Sequence, residues 1–379
     1  MKNEWKEVSI LDVAPITSKL VDPKDEKYNS MILIAPDHIQ SESGQIIAKA
    51  TVREQNAISG KYLVKKGDVI YSKIRPYLKK VCIAPEDCLC SADMYPFSCT
   101  EKINSKYLQT ILLSKQFTDY ANSCSARTGI PKINRDDIAL FFCKIPPIPE
   151  QEKIAETLSI WDSAIEKTEK LISEKEKLYK GYLKYFYIET GNCIKLSEFA
   201  EETSRRNKSK ELTQVLSVTN KNGFVPPEQQ FGKKIASEDL SNYKIIMKGQ
   251  FAYNPSRINV GSIARLDEYI SAVLSPMYTV FEINNKIINS NYFLHWLSSK
   301  YAIHQIKLCA QGGVREIVSF EDFKKMKIKS LPLEKQEKIA DFLNLQKSEI
   351  SLLKKQLEQY KLQKQGLMQK LLTGEWRVR

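Results

Sequence analysis

Pro147-Ile148-Pro149-Glu150-Gln151-Glu152-Lys153-Ile154-Ala155 and Pro332-Leu333-Glu334-Lys335-Gln336-Glu337-Lys338-Ile339-Ala340 share a proline and the run QEKIA at an offset of 185 residues. In the stretch after the second, positions 343, 346, 350, 353, 357, 360, 364, 367 and 371 read Leu, Gln, Ile, Leu, Leu, Tyr, Lys, Leu, Leu. The same offset gives Leu158, Trp161, Ile165, Thr168, Ile172, Lys175, Tyr179, Tyr182 and Phe186 in the first. Alternating steps of three and four put these positions on one face of an α-helix, so each set is a heptad seam. Both stretches are therefore predicted to be long amphipathic helices, the second over 335–372, packed on each other. Proline just ahead of each start suits a helix N-terminus, where its fixed φ and missing N–H carry no penalty.

The repeat extends outward from these helices. Lys66-Gly67, Tyr71 and Arg75 match Lys248-Gly249, Tyr253 and Arg257 at an offset of 182, and Met94-Tyr95 matches Met277-Tyr278 at 183. Ile103-Asn104-Ser105 with Tyr107 matches Ile288-Asn289-Ser290 with Tyr292 at 185, as Ser114-Lys115 matches Ser299-Lys300. A tandem duplication of globular domain plus long helix follows. Short apolar runs such as Met31-Ile32-Leu33-Ile34, Tyr62-Leu63-Val64 and Asp68-Val69-Ile70-Tyr71, set between turn residues, predict strands in the first domain. A helix is predicted over 105–122, where Tyr107, Leu108, Ile111, Leu112 and Phe117 share a side. The expected class is α+β, with domain boundaries at 1–145, 146–188, 189–330 and 331–379. Because the second domain follows the first helix through the short turn Glu189-Thr190-Gly191-Asn192, the helices are expected to run antiparallel about a pseudo-two-fold axis.

A chain of 379 residues exceeds one ordinary core and agrees with two domains. The net charge of +13 favours a polyanionic partner, nucleic acid first. No apolar run is long enough to span a bilayer and the first residues lack a signal-peptide core, so no membrane is involved and a cytoplasmic location is expected. The cysteines, at 82, 88, 90, 99, 124, 143, 193 and 309, show no C-x-x-C pair. They are read as reduced core thiols rather than a metal clip of Cys82, Cys88, Cys90 and Cys99. His38, His295 and His304 have no partners at triad or metal spacing and are read as structural. Neither a phosphate-binding G-x-x-x-x-G-K-[ST] loop nor a G-x-G-x-x-G turn occurs, so no catalytic site is expected in this chain.

Candidate nucleic-acid contacts recur at matched places in the two domains. The first pair is Tyr71-Ser72-Lys73-Ile74-Arg75-Pro76-Tyr77-Leu78-Lys79-Lys80 and Tyr253-Asn254-Pro255-Ser256-Arg257-Ile258-Asn259-Val260-Gly261-Ser262. Arginine grips a guanine edge with two donors, asparagine an adenine edge, and serine or lysine a phosphate. Lys73, Arg75, Tyr77 and Lys79, with Asn254, Ser256, Arg257 and Asn259, are the candidates from these loops. The second pair is Arg127-Thr128-Gly129-Ile130-Pro131-Lys132 and Gln311-Gly312-Gly313-Val314-Arg315, where glycine permits close backbone approach and Arg127, Lys132 and Arg315 meet phosphate. Arg205-Arg206-Asn207-Lys208 and Lys221-Asn222 add charge to the second domain only.

With its helix starts P-x-x-x-QEKIA at 147 and 332, the loops SKIRPY and YNPSRINVGSIA, the turns RTGIPK and GGVRE and the ending LLTGEW, the whole chain resembles the specificity subunit of type I restriction-modification enzymes. The resemblance implies two target-recognition domains, each reading one half of a split, asymmetric double-stranded DNA target. It implies helices that hold the halves apart and dock modification subunits, which bind S-adenosylmethionine and methylate adenine N6. A separate restriction subunit uses ATP and Mg to translocate and cut DNA, and this chain itself has no cofactor. The rival reading is an interaction scaffold joined by its coiled coil, with incidental charge. Steep weakening of DNA binding by salt separates the two.

Overall fold

The computed structural model describes residues 5–125, 130–188, 191–220, 222–231, 239–310 and 317–378. The chain divides into two units, Met1–Glu169 with Lys355–Arg379, and Lys170–Lys354. Each unit holds one globular α+β body and a part of each long helix.

Both long helices form, as Ile148–Phe186 and Leu333–Leu372, the second starting two residues ahead of its predicted 335. All eighteen seam positions are buried or half-buried. In the first unit the helices run antiparallel: Asp162 pairs with Lys364 and Glu169 with Lys361 (2.9 Å), while Trp161 meets Tyr360 edge to face at 5.9 Å. In the second unit the direction is again antiparallel, with Lys175 on Glu349 (2.7 Å), Glu176 on Lys354 (2.6 Å) and Tyr182 on Phe342 (4.9 Å between ring centres). Such partly exposed ion pairs contribute about 0–1 kcal/mol each. The apolar seam does most of the holding and the charges select register.

The run QEKIA has a structural reason. Gln151 is fully buried; its Nε2 donates to the carbonyls of Lys102 (3.0 Å) and Pro146 (2.8 Å), and its Oε1 accepts from Asn104 N–H (2.9 Å). Gln336 repeats the arrangement on Ile287 (3.0 Å), Leu331 (2.8 Å) and Asn289 N–H (2.8 Å). Asn104 and Asn289 in turn cap the helices Ser105–Leu113 and Ser290–Leu297 through their side-chain oxygens. One glutamine thus locks each long helix to a cap of its globular body.

The helix predicted over 105–122 is broken: it is Ser105–Leu113 followed by Lys115–Ser125. Ser114 adopts extended φ/ψ and its Oγ accepts from Phe117 N–H (3.2 Å), starting a new helix. Ser299 Oγ likewise accepts from Ala302 N–H (3.2 Å) at the start of Lys300–Ala310. Serine is a preferred N-cap, so the matched Ser-Lys pairs mark a helix start, and the apolar periodicity running past them hid it. Of the run Met31–Ile34 only Leu33–Ile34 is strand, whereas Lys61–Val64 and Val69–Ser72 form as expected.

In the first unit Val69–Ser72 lies between Val81–Ile83 and Met94–Phe97, both antiparallel to it. In the second, Phe251–Tyr253 lies between Ile263–Arg265 and Thr279–Ile283, with Ala200–Thr203 added beyond the latter. These central strands carry Tyr71 and Tyr253, each at most 1% exposed, so the strand that leads to each candidate loop is fixed in the core.

Of the three histidines, His295 is buried, facing Tyr179 Oη through Nδ1 (2.8 Å) and Asn344 Oδ1 through Nε2 (2.9 Å). His38 Nδ1 faces the Leu33 carbonyl (3.1 Å), and His304 is exposed. Burial holds the His295 imidazole below its usual 6.5. As pH falls, the unfolded chain takes up this proton before the folded one, so stability present above about pH 6.5 is lost below it. The urea midpoint of the wild type is expected to fall more than that of His295→Gln between about pH 6.5 and 5. Parallel pH curves for the two proteins would contradict this.

Candidate nucleic-acid interface

Where Val69–Ser72 ends, backbone hydrogen bonds tie the start of the first candidate loop. Ser72 N–H donates to Lys80 O (3.0 Å), Lys73 N–H to Asp93 O (3.0 Å), and Lys73 O accepts from Ile133 N–H (3.0 Å). Ile74 bridges Lys132, and Arg75 N–H donates to Pro131 O (2.8 Å). The first candidate loop is thereby joined to Pro131 and Lys132 of the second candidate turn, a contact that spacing along the chain does not reveal.

The other unit repeats two of these bonds, while its candidate turn, residues 311–315, lies outside the described residues. Asn254 N–H donates to Ser262 O (3.0 Å) and Pro255 O accepts from Val318 N–H (3.0 Å), the counterparts of the Ser72–Lys80 and Lys73–Ile133 bonds. Two identical stitches, in loops with little sequence in common, mark the loop pair as a property of the fold.

Beyond the stitches the loops diverge. Arg75 and Lys79 both adopt left-handed φ (49° and 47°) on either side of the turn Pro76–Leu78. A non-glycine residue there costs about 1–2 kcal/mol. That strain is offset by the Pro131 bond and concentrates at a tip where Arg75 and Tyr77 are exposed. In the second unit Ser256 and Arg257 are exposed, Asn259 is half-buried, and Gly261 supplies the left-handed φ of 94° that closes the turn.

The predicted contact residues therefore separate by position. Arg75, Tyr77, Lys132, Ser256 and Arg257 face solvent. Lys79 is half-buried and paired with Glu42 (3.2 Å), and Lys73 is half-buried with its Nζ 5.2 Å from the centre of the Tyr95 ring. Asn254 is turned inward, its Oδ1 accepting from Ser256 N–H (3.0 Å), so it shapes the loop. Arg127 and Arg315 lie outside the described residues.

One exposed cation beside this surface was not singled out from sequence. Arg135 sits near Lys73 and Lys132, with its guanidinium carbon 5.6 Å from the Tyr95 ring centre and 5.8 Å from that of Tyr62. Burial first, then the nearby charges of Lys132 and Arg135, lower the Lys73 pKa, against an opposing pull from Asp93. A lysine under that pressure gains from an anion placed beside it. Only the tertiary fold brings residues 62, 73, 95, 132 and 135 together, so spacing along the chain held no signal for them.

Among the described residues no group of three or more His, Cys, Asp and Glu is arranged to hold a metal ion. Cys82, Cys88 and Cys90 are fully buried, and burial pushes the Cys82 and Cys88 thiols up to about 12. Among the described residues no helix is long and apolar enough to cross a membrane.

The family model for the type I restriction modification DNA specificity domain matches residues 2–177 and again 186–361, and the chain belongs to that family. Over 168 residues, 44% of this chain and 37% of the relative, it is 42% identical to the type I restriction enzyme EcoDI specificity subunit of Escherichia coli. The matched part thus spans little more than a third of that relative's length. Over 292 residues, 69% of this chain and 68% of the other, it is 22% identical to the type I restriction enzyme MjaVIII specificity subunit of Methanocaldococcus jannaschii. The fold is similar to that of the type I restriction-modification system S subunit from M. genitalium, with a TM-score of 0.61 at 17% identity over 98% of this chain and 97% of that one.

Proposed function

We propose that this chain is the DNA-specificity subunit of a type I restriction-modification complex. Each globular domain, 1–145 and 189–330, reads one half of a bipartite double-stranded target, and the long helices set the unread spacer and dock modification subunits. Those partners, with S-adenosylmethionine, methylate adenine; a restriction subunit with ATP and Mg cuts; this chain places them and works in the cytoplasm. The observation that carries the reading is the repeated loop: an exposed arginine, Arg75 or Arg257, on a loop whose backbone is bonded at matched places, Ile133 N–H to Lys73 O and Val318 N–H to Pro255 O, in the two units. A net charge of +13 supports a polyanion as the ligand. No observation favours the scaffold reading.

In this reading each arginine, exposed on its loop, contacts a base. Arg75→Ala is expected to weaken target binding by about 1–3 kcal/mol and relax preference in one half-site only, and Arg257→Ala in the other. Competition binding with half-site variants measures this. Equal weakening on all sequences would reassign the residue to phosphate, and unchanged binding would remove it from the interface.

A further inference from the structure

Arg135 opens the short helix Arg135–Ala139, directly after the turn that stitches the Arg75 loop. Its side chain is exposed, yet it is held. The guanidinium lies over two rings, Tyr95 (5% exposed) and Tyr62 (9% exposed), and its Nη2 donates to Tyr62 Oη at 3.2 Å. Arginine stacked on aromatic rings loses little further freedom when its remaining donors bind a planar acceptor, an advantage lysine does not share. Among the described residues, none of Lys73, Lys132 and Arg135 has a carboxylate within ion-pair distance. Asp137, close in sequence, is turned to the helix start, accepting from Asn134 N–H (3.0 Å).

Among the described residues the second copy has nothing equivalent. At an offset of 185 the places of Lys132 and Arg135 are taken by Ile317 and by Phe320, which is 7% exposed, and at 182 the place of Lys73 is taken by Pro255. Among the described residues an arginine-on-tyrosine platform occurs in the first domain only, whereas the matched loop bonds are common to both. A feature confined to one of two duplicated reading surfaces, and built for planar recognition, belongs to what the surfaces read differently.

We propose that Arg135 is a specificity-determining residue of the first domain, reading the edge of a guanine in its half-site while Tyr62 and Tyr95 hold the guanidinium in place. Lys132, exposed at the rim, meets phosphate. This rests on the DNA-reading function proposed above.

The test uses the full chain assembled with its modification subunit, and duplexes in which each base pair of both half-sites, the G·C pairs of the first among them, is replaced in turn. For wild type, replacement of one such pair is expected to weaken binding about 5- to 150-fold. Arg135→Lys, which keeps the charge, is expected to abolish that preference while leaving second-half discrimination and the salt dependence unchanged. Tyr62→Phe, which removes only the Oη partner, is expected to lower the same preference in part. Lys132→Ala is expected to weaken all duplexes alike and reduce the salt slope by about 1. Arg135→Lys with the wild-type pattern, or with equal weakening on every duplex, overturns the assignment of Arg135 alone. A wild-type complex that binds all duplexes equally overturns the DNA-reading function together with it.

Discussion

A heptad inserted into both long helices, between Glu169 and Lys170 and between Lys354 and Lys355, is expected to lengthen the unread spacer of the DNA target by about three base pairs or to abolish binding. These junctions are the boundaries of the two units, so the contacts described within each unit are left as they are. Seven residues preserve the phase of the seam, because the heptad is its period. They add about 10 Å of helix at about 1.5 Å per residue, and about 3.4 Å of duplex corresponds to one base pair. Three base pairs also rotate the duplex by roughly a third of its turn of about 10 base pairs, which is why loss of binding is the second allowed outcome. An unchanged spacer at full efficiency would show that the helices do not set the distance.

Replacement of either buried glutamine by leucine is expected to destabilise its own unit by about 3 kcal/mol. Gln151→Leu leaves two carbonyls and the Asn104 N–H without their partner inside the body, and Gln336→Leu does the same to Ile287, Leu331 and Asn289. Each unsatisfied buried group costs about 1–3 kcal/mol, partly relieved by relaxation or entering water. Glu152→Gln, at the exposed neighbour in the same run, is expected to stay within about 0.5 kcal/mol of wild type. Urea unfolding of the three variants gives the comparison. A Gln151→Leu protein as stable as Glu152→Gln would mean that the clamp is dispensable and that QEKIA repeats for another reason.

The helices were legible because a seam is written along the chain: every position at three-and-four spacing in both copies turned out buried or half-buried. Duplication was legible for the same reason, and Ser114 and Ser299 show how a matched pair that reads as helix interior becomes, in three dimensions, the cap that breaks it. Sequence marked Gln151 by repetition without showing that its amide spans three backbone groups of two segments. The candidate interface was half legible. Arg75 and Arg257 are exposed at equivalent tips, but the left-handed backbone of Arg75, the inward turn of Asn254 and the Arg135–Tyr62–Tyr95 stack depend on contacts between residues far apart in the chain. Spacing reports periodic structure; it does not report which loops meet.

The most direct measurement is a genome-wide map of methylated adenine in a host that lacks the system and expresses this chain with its modification subunit. The proposed function predicts methylation confined to a single motif of two different defined halves separated by a fixed number of unread positions, with the first half relaxed by Arg75→Ala and the second by Arg257→Ala. Methylation at a continuous motif without a gap, or a map identical to that of the modification subunit expressed alone, would contradict it.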